Sequence, residues 1–227
     1  MNFFYKTFLL FILFYSSNTH AQDYFEGVIH YSVSYESLHP NIQKQVLERN
    51  LGTSFTAYIL EDRYATIYNT KGENGWRKII VRLDEGYTYT ELEKSDTIVK
   101  TKFGNSDEKL IDVKKNTKPT KEVLGKQCLS VTLTTENTDP NAWYTLHSGT
   151  YYYSPKYKLN PKLYEDYVDG FWNEYVERAK AVSIWNKNEF RPYFTSISEA
   201  TSIEEKEVDK AFFNPNPDKV IKEEFSK

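Results

Sequence analysis

Apolar and polar residues alternate along most of this chain in short runs divided by turn signals, which predicts an antiparallel meander. In FEGVIHYSVSYES, Ile29, Tyr31, Val33 and Tyr35 fall on one strand face. SFTAYIL, YATIYNT, WRKIIVRL and YTYTELE follow, separated by Glu61-Asp62, by the run Lys71 to Gly75 and by Asp84-Glu85-Gly86. Asn74-Gly75 is a tight-turn signal because both residue types tolerate positive φ. TIVKTKF and KLIDVKK predict two further strands around Gly104 to Asp107. VLGKQCLSVTL (123–133) and NAWYTLH (141–147) predict another pair joined by ENTDP, and AVSIWNK and FRPYFTSIS return to the sheet.

Two passages break the period of two. HPNIQKQVLERNLG carries a helical stripe of Ile42, Val46, Leu47 and Leu51, with Pro40 acceptable in a first turn and Gly52 as its C-terminal cap. Later, Asn160-Pro161 predicts an N-cap followed by proline at the first helical position. Beyond it Leu163, Tyr167, Phe171 and Tyr175 recur every four residues beside Tyr164, Val168, Trp172 and Val176. Gly170 marks a point where this helix can break. The fold class expected from this pattern is mainly β: a large antiparallel sheet covered by one or two helices.

The first residues predict an export signal, residues 1–21. Lys6 precedes the apolar run Thr7 to Ser17, too short for a membrane span, and Thr19-His20-Ala21 offers small residues for cleavage. The mature chain is expected to begin at Gln22, with no cysteine there to take a lipid anchor. One domain, residues 22–213, is expected, followed by a charged C-terminal tail, 214–227, read as disordered. With Lys6 removed, 28 basic residues stand against 32 acidic ones. They are scattered without the basic stripe that nucleic acid requires.

Candidate chemistry is sparse. His30, His39 and His147 show no metal-ligand spacing, and no nucleophile elbow or phosphate loop is present. Paired carboxylates such as Glu61-Asp62, Asp84-Glu85, Glu165-Asp166 and Glu204-Glu205 sit in turns or on polar faces. No cofactor or metal is expected, and the chain is read as a non-enzyme. Cys128 is the lone cysteine and cannot form an internal disulfide. Alternation sets it with Ser130 and Thr132, opposite Leu129, Val131 and Leu133. It reads as a small strand residue, with an intermolecular disulfide as the alternative. Aromatic residues are the strongest remaining signal. Tyr64 and Tyr68 share one strand face, as do Tyr87 and Tyr89, and Trp143 begins a cluster continued by Tyr151 to Tyr153. These read as sheet packing, as lining of an apolar ligand groove, or as sugar-stacking rings, the last without the accompanying Asp/Asn/Arg clusters.

The order Phe25-Glu26-Gly27-Val28-Ile29-His30-Tyr31, then Leu124-Gly125-Lys126-Gln127-Cys128, Ala142-Trp143-Tyr144-Thr145 and YYYSPKYKLNP resembles GLPGLI-type exported proteins. The GLPGLI hexapeptide itself is absent, replaced by HSGTYYYSP, and so is a lipobox cysteine. The resemblance implies a relative of the LolA and LolB lipoprotein carriers, an incomplete barrel under helices, in the periplasm or secreted. It brings no catalytic residues. On that fold Tyr64, Tyr68, Tyr87, Tyr89, Trp143, Phe171 and Trp172 are the candidate lining of a concave face for a lipid, lipoprotein or other hydrophobic ligand. The alternatives are an envelope protein–protein module using a sheet edge or the charged tail, and a hydrolase assembled from distant residues.

Overall fold

The computed structural model describes residues 24–104 and 107–224, so the expected export signal lies outside the described residues. Among them, twelve strands form one open sheet in the order β12-β6-β5-β4-β3-β2-β1-β11-β10-β9-β8-β7. Strand β1 (Gly27–Ser37) is central, between β2 (Ser54–Ile59) and β11 (Phe194–Glu205). One wing is the meander β2, β3 (Arg63–Tyr68), β4 (Arg77–Arg82), β5 (Tyr87–Leu92) and β6 (Thr97–Lys102). The other comprises β7 (Glu108–Val123), β8 (Lys126–Asn137), β9 (Leu146–Lys158) and β10 (Ala181–Arg191), leading back to β11. Every described joint is antiparallel except the last, where β12 (Val220–Glu224) runs parallel to β6.

Register fixes which residues share a face. Ile29, Ala57, Thr66, Ile79, Thr90 and Val99 form one cross-strand row, and Tyr58, Ala65, Ile80 and Tyr89 form a row on the opposite face. Val28 and Ile29, like Ile80 and Val81, are consecutive and buried, so both faces of the sheet are covered there. The first face carries helices α1 (Lys44–Leu51) and α2 (Trp172–Ala179) and is called the helix face here. The second packs against Val208 and Phe213 of the C-terminal segment and is called the tail face.

The local signals place both helices. Gly52 caps α1 at φ 85°, donating its N–H to the Glu48 carbonyl at 3.0 Å, although the helix begins at Lys44, later than Pro40 suggested. Asn160 caps a 3-10 turn (Pro161–Tyr164) by accepting from the Lys162 N–H. The chain then reverses at Gly170, φ 58°, and Phe171, φ 57°, before α2 starts. The expected helix is thus split where its glycine stands. Helix α2 sinks Tyr175 and Val176, both at 0% exposure, into the core with Ile29, Val131, Tyr153 and Ile184.

Three expectations differ from the structure. The run 123–133 is not one strand, because Leu124-Gly125 forms the two-residue turn between β7 and β8, with Val123 paired to Lys126. Both turn residues have positive φ, 48° and 70°, which matches the twist of a tight hairpin. Ala142 to Tyr144 are loop, and the strand begins at Leu146 and continues through Tyr151–Tyr153. Within the tail 214–227 expected to be disordered, residues Val220–Glu224 instead form β12, after a 3-10 turn (Lys210–Phe213) that packs on the tail face. Phe213, at the end of the expected domain, is fully buried and anchors the charged stretch that follows it.

Cys128 is fully buried in the main cluster, where its thiol donates to the Lys126 carbonyl at 3.3 Å and burial raises its pKa. It lies opposite Lys121, beyond a register shift in β7 between Asn116 and Lys121.

Tyr175 provides a test of the core. Its ring contacts Tyr151, Tyr153 and Trp172, and its hydroxyl donates to the Ala181 carbonyl at 2.9 Å. Tyr175→Ala is expected to cost about 3–5 kcal/mol in urea unfolding. Tyr175→Phe keeps the ring and is expected to cost about 1–2 kcal/mol, from the carbonyl left without its donor.

Candidate functional site

The seven aromatic candidates do not converge. Tyr64, Phe171 and Trp172 pack on the main helix-face cluster. Tyr64 donates to the Tyr167 hydroxyl at 3.2 Å, and burial raises its pKa well above the ordinary phenol value. Trp172 meets Tyr151 and Tyr175 at centroid distances of 5.4 and 5.2 Å. These rings fill the space between α2 and the sheet.

Tyr87 and Tyr89 lie on the tail face. The Lys100 ammonium sits 3.7 Å from the Tyr87 ring centroid, while the Tyr89 hydroxyl donates to Glu85 at 2.9 Å. Burial, then the Glu85 carboxylate, push the Tyr89 pKa up to about 12. Trp143 stands apart, stacked on Phe194 at 5.9 Å near α1 and half exposed. Tyr68 ends β3 with its ring 5.0 Å from Phe55 and 4.6 Å from the Arg77 guanidinium carbon.

An open groove of about 980 Å3 lies between the sheet and the C-terminal segment. Tyr68, at the end of β3, is the one sequence candidate that borders it. Trp76, Phe212, Ile67 and the prolines 215 and 217 form apolar walls, and Lys78, Glu91 and Asn214 supply polar groups. Register explains the floor: Thr56, Ile67, Lys78 and Glu91 are successive partners across β2 to β5 and so share the tail face. Phe212 closes one side, its ring 4.1 Å from Tyr58.

Charge is held in this groove by the C-terminal segment itself. Glu91 is buried, and the Lys219 ammonium pairs with it at 3.2 Å while donating to the Leu92 carbonyl at 2.7 Å. Lys78 donates to the Phe212 carbonyl at 2.9 Å, and desolvation lowers its pKa more than nearby Glu91 raises it. A buried carboxylate between two partly desolvated ammonium groups costs less than it would alone, and it pins residues 212–219 to the sheet. The groove combines aromatic walls with a small set of fixed polar groups.

Most of this site is absent from the sequence candidates. Trp76 follows the Asn74-Gly75 turn, and Phe212-Phe213 is an adjacent aromatic pair just before the charged tail; that pair was the available signal. The distant pairing of Lys219 with Glu91 has no local signature. Among the described residues, no group of three or more His, Cys, Asp or Glu is placed to hold a metal ion. No described helix is long and apolar enough to cross a membrane.

No protein-family model and no curated protein matches the chain. The resemblance to GLPGLI-type proteins therefore rests on its short motifs. Among solved structures, the chain is similar to an uncharacterized conserved protein from Thermus thermophilus, at 8% identity over 88% of this chain and 91% of that one, with a TM-score of 0.42. It is also similar to a "putative outer membrane lipoprotein-sorting protein domain" from Vibrio parahaemolyticus, at 10% identity over 83% and 89%, with a TM-score of 0.29. Likenesses this distant carry no argument about the site.

Two outcomes are expected. Lys219→Ala strands Glu91 in a desolvated position and should destabilise the fold by about 3 kcal/mol. Hydrogen exchange should accelerate across residues 212–224, and unchanged exchange there would show that the pair does not pin the segment. The second concerns Asp169, beside Gly170, whose pKa burial pushes up to about 6 from 3.8. The folded state holds this proton more tightly than the unfolded one. Its stabilising contribution is therefore complete below pH 3.8 and lost as pH rises through about 6. Asp169→Asn should raise the melting temperature at pH 7.5 and leave it nearly unchanged at about pH 3.5, as read by thermal scans at both values.

Proposed function

We propose that the chain is an exported, non-enzymatic binding protein and that a hydrophobic or amphipathic ligand occupies the groove on the tail face. The groove itself carries this reading. Its volume of about 980 Å3 lies within the usual range of ligand sites, and its lining joins aromatic walls to a few placed polar groups. An acyl chain or similar body would lie along Trp76, Ile67 and Phe212, with its polar end toward Lys78 or Asn214. A ligand beneath α2 would have to displace Tyr164, Tyr167 and Tyr175, all buried there. The export reading rests on residues 1–21, and the short-motif resemblance points to the same class of ligand.

A second reading, an envelope protein–protein module, is favoured by β12. This edge strand is exposed throughout and shows Val220 and Ile221 at 62% and 48% exposure. An unpaired strand edge with apolar side chains is a template for strand addition.

Native mass spectrometry of the mature chain purified from a periplasm should show a co-purified lipid-like mass. Titration with fatty acids and lysophospholipids should change tryptophan fluorescence, and Trp76→Ala should weaken that binding by roughly tenfold, the worth of about one buried aromatic contact. Folded protein that carries no lipid and gives no response to either ligand class would sink the groove reading. Envelope partners captured by the intact chain, but lost when residues 220–227 are removed, would favour the second.

A further inference from the structure

We propose that the closed end of the β7–β8 hairpin is a docking surface for an anionic lipid bilayer. β7 is one free edge of the sheet, and residues 114–120 are all exposed. From Asn116 to Cys128 the hairpin end holds Lys118, Lys121 and Lys126 against a single acid, Glu122. That is a local charge of +2 in a chain of net charge −3, so the remaining sequence carries −5. Further back along β7, Lys114 pairs with Asp112 at 2.8 Å. Lys115 reaches the Arg178 carbonyl in the last turn of α2 at 2.7 Å. Nearer the turn, Lys121 lies 4.0 Å from the Trp185 ring centroid.

Edge lysines and a proline also protect a sheet from pairing with other chains, and Pro119 and Lys118 serve that purpose. Protection does not account for the tip. Leu124 is 46% exposed and takes φ 48°, a conformation that disfavours a branched apolar side chain and suits asparagine. Leucine there is unfavourable in water both by exposure and by backbone strain. Both costs are offset if the side chain enters the apolar layer below lipid head groups. Beneath Lys121, the half-buried rings of Tyr152 and Trp185 lie 5.2 Å apart, the residue types that settle at the membrane interface. A cationic end, an apolar tip and flanking aromatic rings on a negatively charged body fit an anionic bilayer approached end-on.

The test uses the chain from Gln22 onward, which contains every described residue and lacks the apolar leader. It should sediment with vesicles of equal parts phosphatidylglycerol and phosphatidylethanolamine, not with phosphatidylcholine vesicles, and should be released at about 1 M salt. Each lysine near an anionic leaflet strengthens partition about fivefold, so Lys118→Gln, Lys121→Gln and Lys126→Gln together should weaken binding roughly a hundredfold. Leu124→Asn should weaken binding while raising the melting temperature, a combination that a purely structural role for this residue would not give. Because Cys128 is buried, Leu124→Cys offers a single labelling site, and an environment-sensitive fluorophore there should shift to the blue with anionic vesicles. Trp76→Ala should dock normally, which separates docking from the groove. The proposal is overturned if folded protein ignores anionic vesicles, if the folded triple variant binds undiminished, or if the fluorophore at 124 does not respond while the protein binds.

Discussion

The start of β10 is irregular, and the core depends on how the carbonyls there are satisfied. Its pairing with β9 shifts register on both sides of Ser183. Two tyrosines from other elements donate into this seam. Tyr31 of β1 reaches the Ser183 carbonyl at 2.7 Å, and Tyr175 of α2 reaches that of Ala181 at 2.9 Å. Desolvation raises the pKa of both phenols, which keeps them as neutral donors. Each ring fills core volume while its hydroxyl meets a backbone group that would otherwise be costly to bury. One seam thus joins the central strand, the covering helix and the second wing, and it gives a physical reason for tyrosine in so large a share of the core.

An open sheet has two faces to keep from water, and this chain covers them by different means. The helix face is closed by α2 and its preceding turns, packed with rings. The tail face is closed by a segment with few apolar residues, anchored by Phe213 and tied by Lys219. Cover of the second kind leaves gaps, and the groove is one of them. Its walls come from the segment that was needed to shield Ala65, Ile80 and Ile98.

Much of the fold is legible from local pattern. Strand periodicity, the Gly52 cap, the Asn160 cap and the break at Gly170 all act over a few residues, so a linear reading finds them. What escapes depends on distant partners or on residues that depart from the usual chemistry. Leu124 occupies a turn position where asparagine would have announced a hairpin, and so the turn looked like strand. β12 is charged and exposed, and its strand character comes only from pairing with β6. Sharing a strand face placed Tyr64 with Tyr68 and Tyr87 with Tyr89 correctly. It could not show that the two pairs belong to opposite faces, because that depends on register through β4.

The position of β1 constrains the order of assembly. Its pairing with β2 is local, yet on its other side Tyr31 lies opposite Ala200, 169 residues later. The first wing can form hairpin by hairpin as the chain emerges, and the second can do the same from β7 onward. The seam between them closes only when β11 has arrived, which makes the central joint the one with the largest loop-closure cost. Until then β1 presents an unpaired edge in the middle of the future sheet. A chain built this way gains from staying unfolded until its last strands are available together, a kinetic demand that translocation in an extended state would meet.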